Sequence, residues 1–357
     1  MKRLLTAALA LASSLALAGC GQDTPPPGTT VLSYASPYPP GHPFSKADAE
    51  WMAYVTKASA GRLQIRPYWA GALISSEMSM EEVRHGVADI GLITPIYARG
   101  GSHVQRVQAG FYGGVKSIEG QVSVYKCLSD RFPDLRNEIH GLHVLAVQGG
   151  NFLGVITRSR PVTKLSDLRG LRLRAPSENL DVLRELGADP VNMPMGEVYS
   201  ALAKGVIDGV IAPADTFKSL HFAEVAPHYA NLRFARGAYP ARAISEERWQ
   251  TLPADLRAVM TQGQVVWENA LTRELTKAET DGIAFGKSHG VSFTQVSAQD
   301  QQAFDALYNR YAARAAKAMV RFGADATPIF HEAQALIARS QGGAVSACSA
   351  DQPKDVK

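Results

Sequence analysis

From Glu246 to His289 the chain keeps a long helical pattern, with Pro253 near its start and Gly263 inside it. A helix of about 35 residues spans about 50 Å at 1.5 Å per residue, comparable to two small domains laid side by side. The pattern therefore predicts a spine shared by two lobes. Apolar runs of strand length alternate with helix-period stretches along the rest of the chain, the signature of an α/β protein with largely parallel sheets. Candidate strands are Thr30 to Ser33, Leu63 to Tyr68, Ala88 to Ile93, His143 to Val147, Leu171 to Ala175, Pro190 to Met193 and Gly209 to Ala212. Ser177 is the expected N-cap of a helix from Glu178 to Leu186, and Gly187 follows where a left-handed residue is wanted. A second helix, Glu197 to Lys204, stops at Gly205 in the same way.

A chain of 357 residues has room for roughly two domains. Its 37 basic and 33 acidic side chains nearly balance, and no Lys/Arg run tracks a phosphate backbone, so nucleic acid is not an expected partner. Catalytic spacings are absent: there is no G-x-S-x-G, H-E-x-x-H, phosphate-cradling loop or G-x-G-x-x-G. Ser123-Val124-Tyr125-Lys126 matches S-x-x-K without its companion motifs. The pairs His140/His143 and His221/His228 lack a supporting Cys or acidic cluster. No enzyme activity, cofactor or metal is expected.

Met1 to Arg3 form a basic start and Leu4 to Leu17 an Ala/Leu-rich stretch, shorter than the ~18 residues a spanning helix needs. This reads as a secretory signal over residues 1–19. Its end, Leu17-Ala18-Gly19-Cys20, resembles the lipobox of bacterial lipoproteins, which implies cleavage before Cys20 and a lipid on its sulfur. Residues 20–30, with Pro25, Pro26 and Pro27, then form an extended tether that holds a water-soluble domain to a membrane in the periplasm. Cys127 and Cys348 remain as a candidate disulfide that would staple the Ser/Ala/Gly-rich tail, 336–357. The alternative is a buried apolar Cys127 and a free Cys348.

The most informative stretch runs from Lys164 to Asp208. Leu171 and Leu173 face one side of a strand, Arg172 and Arg174 the other, and Ala175-Pro176 must end it. Ligands of open α/β sheets bind beyond the carboxyl ends of strands, where Arg174 points, and a guanidinium there suits a carboxylate. On the residues alone, the alternative that Arg174 pairs with an internal acid or reaches solvent is the favoured one.

This stretch resembles the solute-binding proteins of tripartite ATP-independent periplasmic (TRAP) transporters, typified by C4-dicarboxylate and sialic acid receptors. The resemblance rests on Leu168 to Pro176, Leu186 to Met195, Glu197 to Leu202 and Ile207 to Gly209. Supporting pieces are Gly41-His42-Pro43-Phe44, Gly61-Arg62-Leu63, Ala70 to Glu77, Gly86 to Ile90 and Trp249 to Leu256. It covers about Val31 to Phe330. It implies a two-lobed clamshell that closes on an organic acid and delivers it to membrane permease subunits. Lobe I would comprise 31–151 plus 240–279 and lobe II 152–239 plus 280–335.

Arg174 matches the family's carboxylate-clamping arginine. Two departures stand out: Gly154, where some relatives carry a second arginine, and Ala212, where an asparagine is frequent. Both remove polar partners and are expected to widen the site, favouring a monocarboxylate with an apolar or aromatic body. Lining candidates are Trp69, Tyr97, Phe111, Tyr112, Gln148, Met195, Tyr199, Ala212 and Tyr239, with core packing the alternative for each aromatic. Glu77 is a candidate acceptor for a ligand amine or hydroxyl, or a metal, and otherwise a solvated acid at a helix start. Two other functions compete with transport: a sensory receptor on the same fold, and a hydrolase or isomerase reusing the cleft.

Overall fold

The computed structural model describes residues 26–98 and 100–348; the expected signal, Cys20, part of the tether and the end of the tail lie outside them. The described strands are β1 (Thr30–Ala35), β2 (Leu63–Tyr68), β3 (Ile90–Leu92), β4 (Leu142–Gln148), β5 (Leu153–Thr157), β6 (Arg172–Arg174), β7 (Asp189–Val191), β8 (Gly209–Ala212), β9 (His228–Phe234), β10 (Tyr239–Ser245) and β11 (Ser292–Thr294). They form two sheets, one in the order β2-β1-β3-β10-β4 and the other β11-β9-β5-β8-β6-β7. The expected strands are all present within a few residues, but the sheets are mixed. β10 runs antiparallel to β3 and β4, and β5 antiparallel to β8 and β9. Strands β5, β9, β10 and β11 were absent from the sequence expectation. β5 and β10 are the strands through which the chain enters each sheet from the other, at 149–152 and 235–238.

The helical run from Glu246 is divided. A short helix, Glu246–Thr251, ends before Leu252, and the spine is Ala254–Ser288. Pro253 is the cause, since the residue before a proline is pushed out of the helical region, and Leu252 is extended with φ −74° and ψ 141°. At 35 residues the spine is about 52 Å long. Leu256, Met260, Trp267, Leu271 and Leu275 pack in the core of the first sheet, while Ile283 and Phe285 lie against that of the second. Gly282 is required where the spine passes the second sheet, because a Cβ there would sit 2.4 Å from the carbonyl oxygen of Ala214.

Helix Ala298–Ala318 also bridges, with Phe304 and Tyr308 in the second lobe's core and Ala312 and Ala316 in a cluster on the first. The following helix, Thr327–Arg339, puts Ile329, Ala333 and Leu336 against Val124 and Leu128 of Ile118–Arg131. The end of the stretch expected in the second lobe, 280–335, thus returns to the first, where that helix finds cover for its apolar face. The return is fastened covalently: Cys127 and Cys348 are joined, with Cα atoms 5.0 Å apart across 221 residues of sequence. Two local expectations fail. The Ser177 side chain does not cap; residues Ser177–Asn179 form a single 3-10 turn, and the helix proper is Leu180–Glu185.

Beneath the first sheet a fully buried ion pair joins four elements. Asp48, from helix Pro43–Ala58, accepts through Oδ1 from Arg242 Nε (2.9 Å) and Trp267 Nε1 (2.8 Å), and through Oδ2 from the Tyr34 hydroxyl (2.5 Å). Arg242 also donates to Gln148 Oε1. Trp267 stacks on Trp51 with ring centroids 3.9 Å apart. Removing one partner of such a pair strands a charge in a dry interior, at a cost of about 3–5 kcal/mol. Asp48→Ala is therefore expected to lower the denaturant midpoint of unfolding sharply; a midpoint within error of wild type would show that the pair contributes nothing to stability.

Candidate functional site

β6 is short because it lies between β7 and β8 only for Arg172 to Arg174, with Leu173 opposite Pro190 and Gly209. Arg172 is exposed, whereas Arg174 at the carboxyl end is fully buried. Its Nε donates to the carbonyl of Met193 at 2.9 Å and its Nη2 to the hydroxyl of Tyr97 at 2.5 Å. Tyr97 stands on the turn Pro95–Tyr97 that follows β3 of the first sheet, so this bond crosses from one lobe to the other. The guanidinium carbon also lies 5.8 Å from the Tyr97 ring centre. No carboxylate of the described residues comes within 4.0 Å of Arg174. Its charge is therefore solvated by one carbonyl, one hydroxyl and one ring, with no compensating anion in contact.

Arg174 opens on a cavity of about 50 Å³ between the lobes. A water needs roughly 10–15 Å³ of such space, so the cavity is compact. Of the expected residues it gathers Arg174, Tyr97, Met195 and Tyr239. Gln148 sits one step behind, donating from Nε2 to the Tyr239 hydroxyl at 3.2 Å and so joining the cavity wall to the Asp48–Arg242 pair.

The remaining candidates lie elsewhere. Phe111 and Tyr112 are fully buried in the helical core of the first lobe, Phe111 edge-on to Phe330 and Tyr112 bonded to Gln108. Trp69 is partly buried and packs edge-on to Tyr34 at 5.6 Å, against the first sheet's core. Tyr199 is exposed and donates to Glu224. Glu77 borders a separate surface recess with Glu81 and Arg84. Ala212 is fully buried and stands directly opposite Gly154 across β5 and β8. The expected widening at this pair does not occur. A Cβ on Gly154 would lie 2.5 Å from the ring and hydroxyl of Tyr229, which fills the space an arginine would need.

The sequence reading missed Tyr38, Glu178 and Arg236, all of which line the cavity. Tyr38 comes from the loop after β1, stacked on His42 at 4.1 Å; His42 caps the next helix by accepting from the Phe44 amide at 3.2 Å. Burial, then the neighbouring Arg242 charge, pushes the His42 imidazole down to about 3, so it caps as a neutral ring. Burial raises the hydroxyls of Tyr38 and Tyr239, which keeps both available as donors. Glu178 is pushed upward by burial and pulled back by a bond to its own amide and by the charges of Arg174, Arg236 and Arg106. Arg236 lies in the crossing 235–238. The only signal for it was its place beside Gly237 just ahead of Tyr239.

A second buried acidic group adjoins the crossings. Asp215 accepts from Asn151 Nδ2 (3.2 Å) and Ser219 Oγ (3.1 Å), and Glu279 of the spine accepts from the amides of Ala214 (3.4 Å) and Asp215 (3.1 Å).

Two sheets joined by two strand crossings and a shared spine, with a buried cationic cavity between them, define a two-lobed solute receptor. The family described as bacterial extracellular solute-binding protein, family 7, matches residues 34–318, and the chain belongs to it. Among curated relatives, the sialic acid-binding periplasmic protein of Vibrio cholerae is 29% identical over 158 residues, 43% of this chain and 49% of that protein, about half its length. A solute-binding protein of Albidiferax ferrireducens is 25% identical over 254 residues, 69% of this chain and 73% of that one. Among solved structures, a TRAP solute-binding protein of Rhodoferax ferrireducens in complex with copurified benzoate superposes with a TM-score of 0.79 at 24% identity, covering 87% of this chain and 98% of that one. A marine metagenome protein specific for aromatic acid ligands, with 3-hydroxybenzoate, gives 0.77 at 22%, covering 87% and 98%. The described residues contain no helix long and apolar enough to cross a membrane.

Burial, and then the Asp215 charge, push Glu279 up to about 7. A carboxyl raised above its unfolded value of 4.5 binds its proton more tightly when folded, so it favours the folded state fully below pH 4.5 and progressively less up to about pH 7. The unfolding midpoint is expected to fall between pH 5 and 7.5, and Glu279→Gln to flatten that dependence. An equally steep profile in the variant would assign the effect to other groups.

Proposed function

We propose that this receptor closes on a compact organic monocarboxylate with an apolar or aromatic body and delivers it to the membrane permease of a TRAP-type transporter. It works in the periplasm, tethered through lipid on Cys20, and it binds its ligand without converting it. The observation that carries this reading is Arg174, fully buried at the lobe junction with no carboxylate in contact and bonded across the cleft to Tyr97. A carboxylate there would form two parallel charged bonds to a buried guanidinium, where they are stronger than in open water. Ile96, Leu153, Ile211 and Met195 supply apolar walls around that charge, which suits a flat hydrocarbon body. Benzoate and 3-hydroxybenzoate, the acids held by two proteins of this fold, are compounds of that kind.

Closure follows from differential affinity. A ligand that touches Arg174 on the second lobe and Tyr97 or Tyr38 on the first contacts both only when the lobes meet, so it shifts the population toward the closed form.

Truncating one partner of a desolvated charge pair costs about 2–5 kcal/mol, so Arg174→Ala is expected to weaken benzoate binding by about 30-fold or more in titration calorimetry. An unchanged affinity would remove Arg174 from the site. Cys20→Ala is expected to move the protein from the membrane fraction to the soluble one; continued pelleting with membranes would dismiss the lipid tether.

A further inference from the structure

We propose that Arg236 is a second anion-anchoring residue of this cavity, supplied from the crossing 235–238 and not from the strand position now held by Gly154. The proposal rests on the carboxylate reading above and adds a residue and a route to it.

A guanidinium carries five N–H donors, and one that lines a cavity without spending them on the protein is poised for a ligand. Arg236 spends one: Nη1 donates to the carbonyl of Asn151 at a long 3.3 Å. Nε and Nη2 have no acceptor among the described residues, and no carboxylate lies within 4.0 Å. Its side chain borders the same cavity as Arg174. Three acids feel its charge: Asp215 and Glu279 are committed to Asn151, Ser219 and backbone amides, and Glu178, which lines the same cavity, makes no ion pair with it within 4.0 Å.

The surrounding backbone is shaped to hold the group there. Gly150 lies directly under the guanidinium, and a Cβ at that position would sit 2.3 Å from Arg236 Cζ. Gln121 fixes Gly150 from the other side, donating to its carbonyl at 3.0 Å and accepting from its amide at 2.7 Å. Gly150 and Asn151 belong to one strand crossing and Arg236 to the other. An anion drawn to Arg236 therefore touches the point where both crossings meet, while its bond to Arg174 reaches the end of β6. Tyr229 occupies the room beside Gly154, so an arginine on that strand would have no place, and the second cation arrives by a different path.

The test uses the full chain in mild detergent, titrated with benzoate, 3-hydroxybenzoate and D-glucuronate. Arg236→Gln is expected to weaken the tightest of these acids by about tenfold or more, with the unfolding temperature of the ligand-free protein unchanged. Gly150→Ala is an independent variant: its methyl collides with the flexible guanidinium and displaces it while residue 236 stays an arginine, it requires no left-handed backbone angle, and it is expected to weaken the same acid. Arg236→Lys, which keeps the charge but not the planar fork, should fall between. Affinities of Arg236→Gln and Gly150→Ala within about twofold of wild type would overturn the proposal while leaving the carboxylate reading intact. Failure of the wild-type protein to bind any of the three acids would overturn both.

Discussion

The pair formed by Asp48 and Arg242 holds the first lobe in register with the cavity. Arg242 is a fully buried cation in the middle of β10, and Asp48 is its only contacting carboxylate among the described residues. An unpaired charge at either position would be intolerable in a dry interior, so helix Pro43–Ala58, β1, β10 and the spine must meet at one point. That point fixes where β10 begins. Tyr239, its first residue, and Arg236, three residues earlier, are thereby placed in the cavity wall, and Gln148 passes the constraint on from Arg242 to Tyr239. The cavity wall is thus tied through Gln148 to the buried polar contacts beneath it.

The other half of the cavity is built on a different logic. In the second lobe, strand ends present backbone carbonyls and one guanidinium, and β6, β7 and β8 are too short to do more. The spine and helix Ala298–Ala318 each contribute to cores on both sides. The lobes are thus tied by elements whose apolar faces would be exposed if either lobe were absent. Opening can only be a bend of the crossings and a small adjustment along these helices, not a separation.

Much of this was legible in the sequence, for identifiable reasons. Arg174 was found because alternation along Leu171 to Arg174 and the following Ala175-Pro176 fix both its face and its place at a strand end. The spine was found because few breakers interrupt it. β10 was not, because Tyr239 to Ser245 contains Pro240 and Arg242, which oppose a strand unless a bulge and a buried partner accommodate them; a register shift separates Pro240 from Arg242. Aromatic identity also misled. Tyr97 and Tyr239 reach the cavity while Phe111, Tyr112 and Trp69 fill cores, and only the path of the backbone separates the two groups. Arg236 belongs to a connection with no periodicity to read.

Both described ends of the chain belong to one lobe. β1, the first strand, lies inside the first sheet, and the last described residue, Cys348, is bonded to Cys127 of the same lobe. Whatever grips either terminus therefore grips the first lobe alone. In mechanical terms that lobe is the fixed jaw of a vice and the second the sliding one. The part that moves relative to both described ends is then the lobe that carries Arg174.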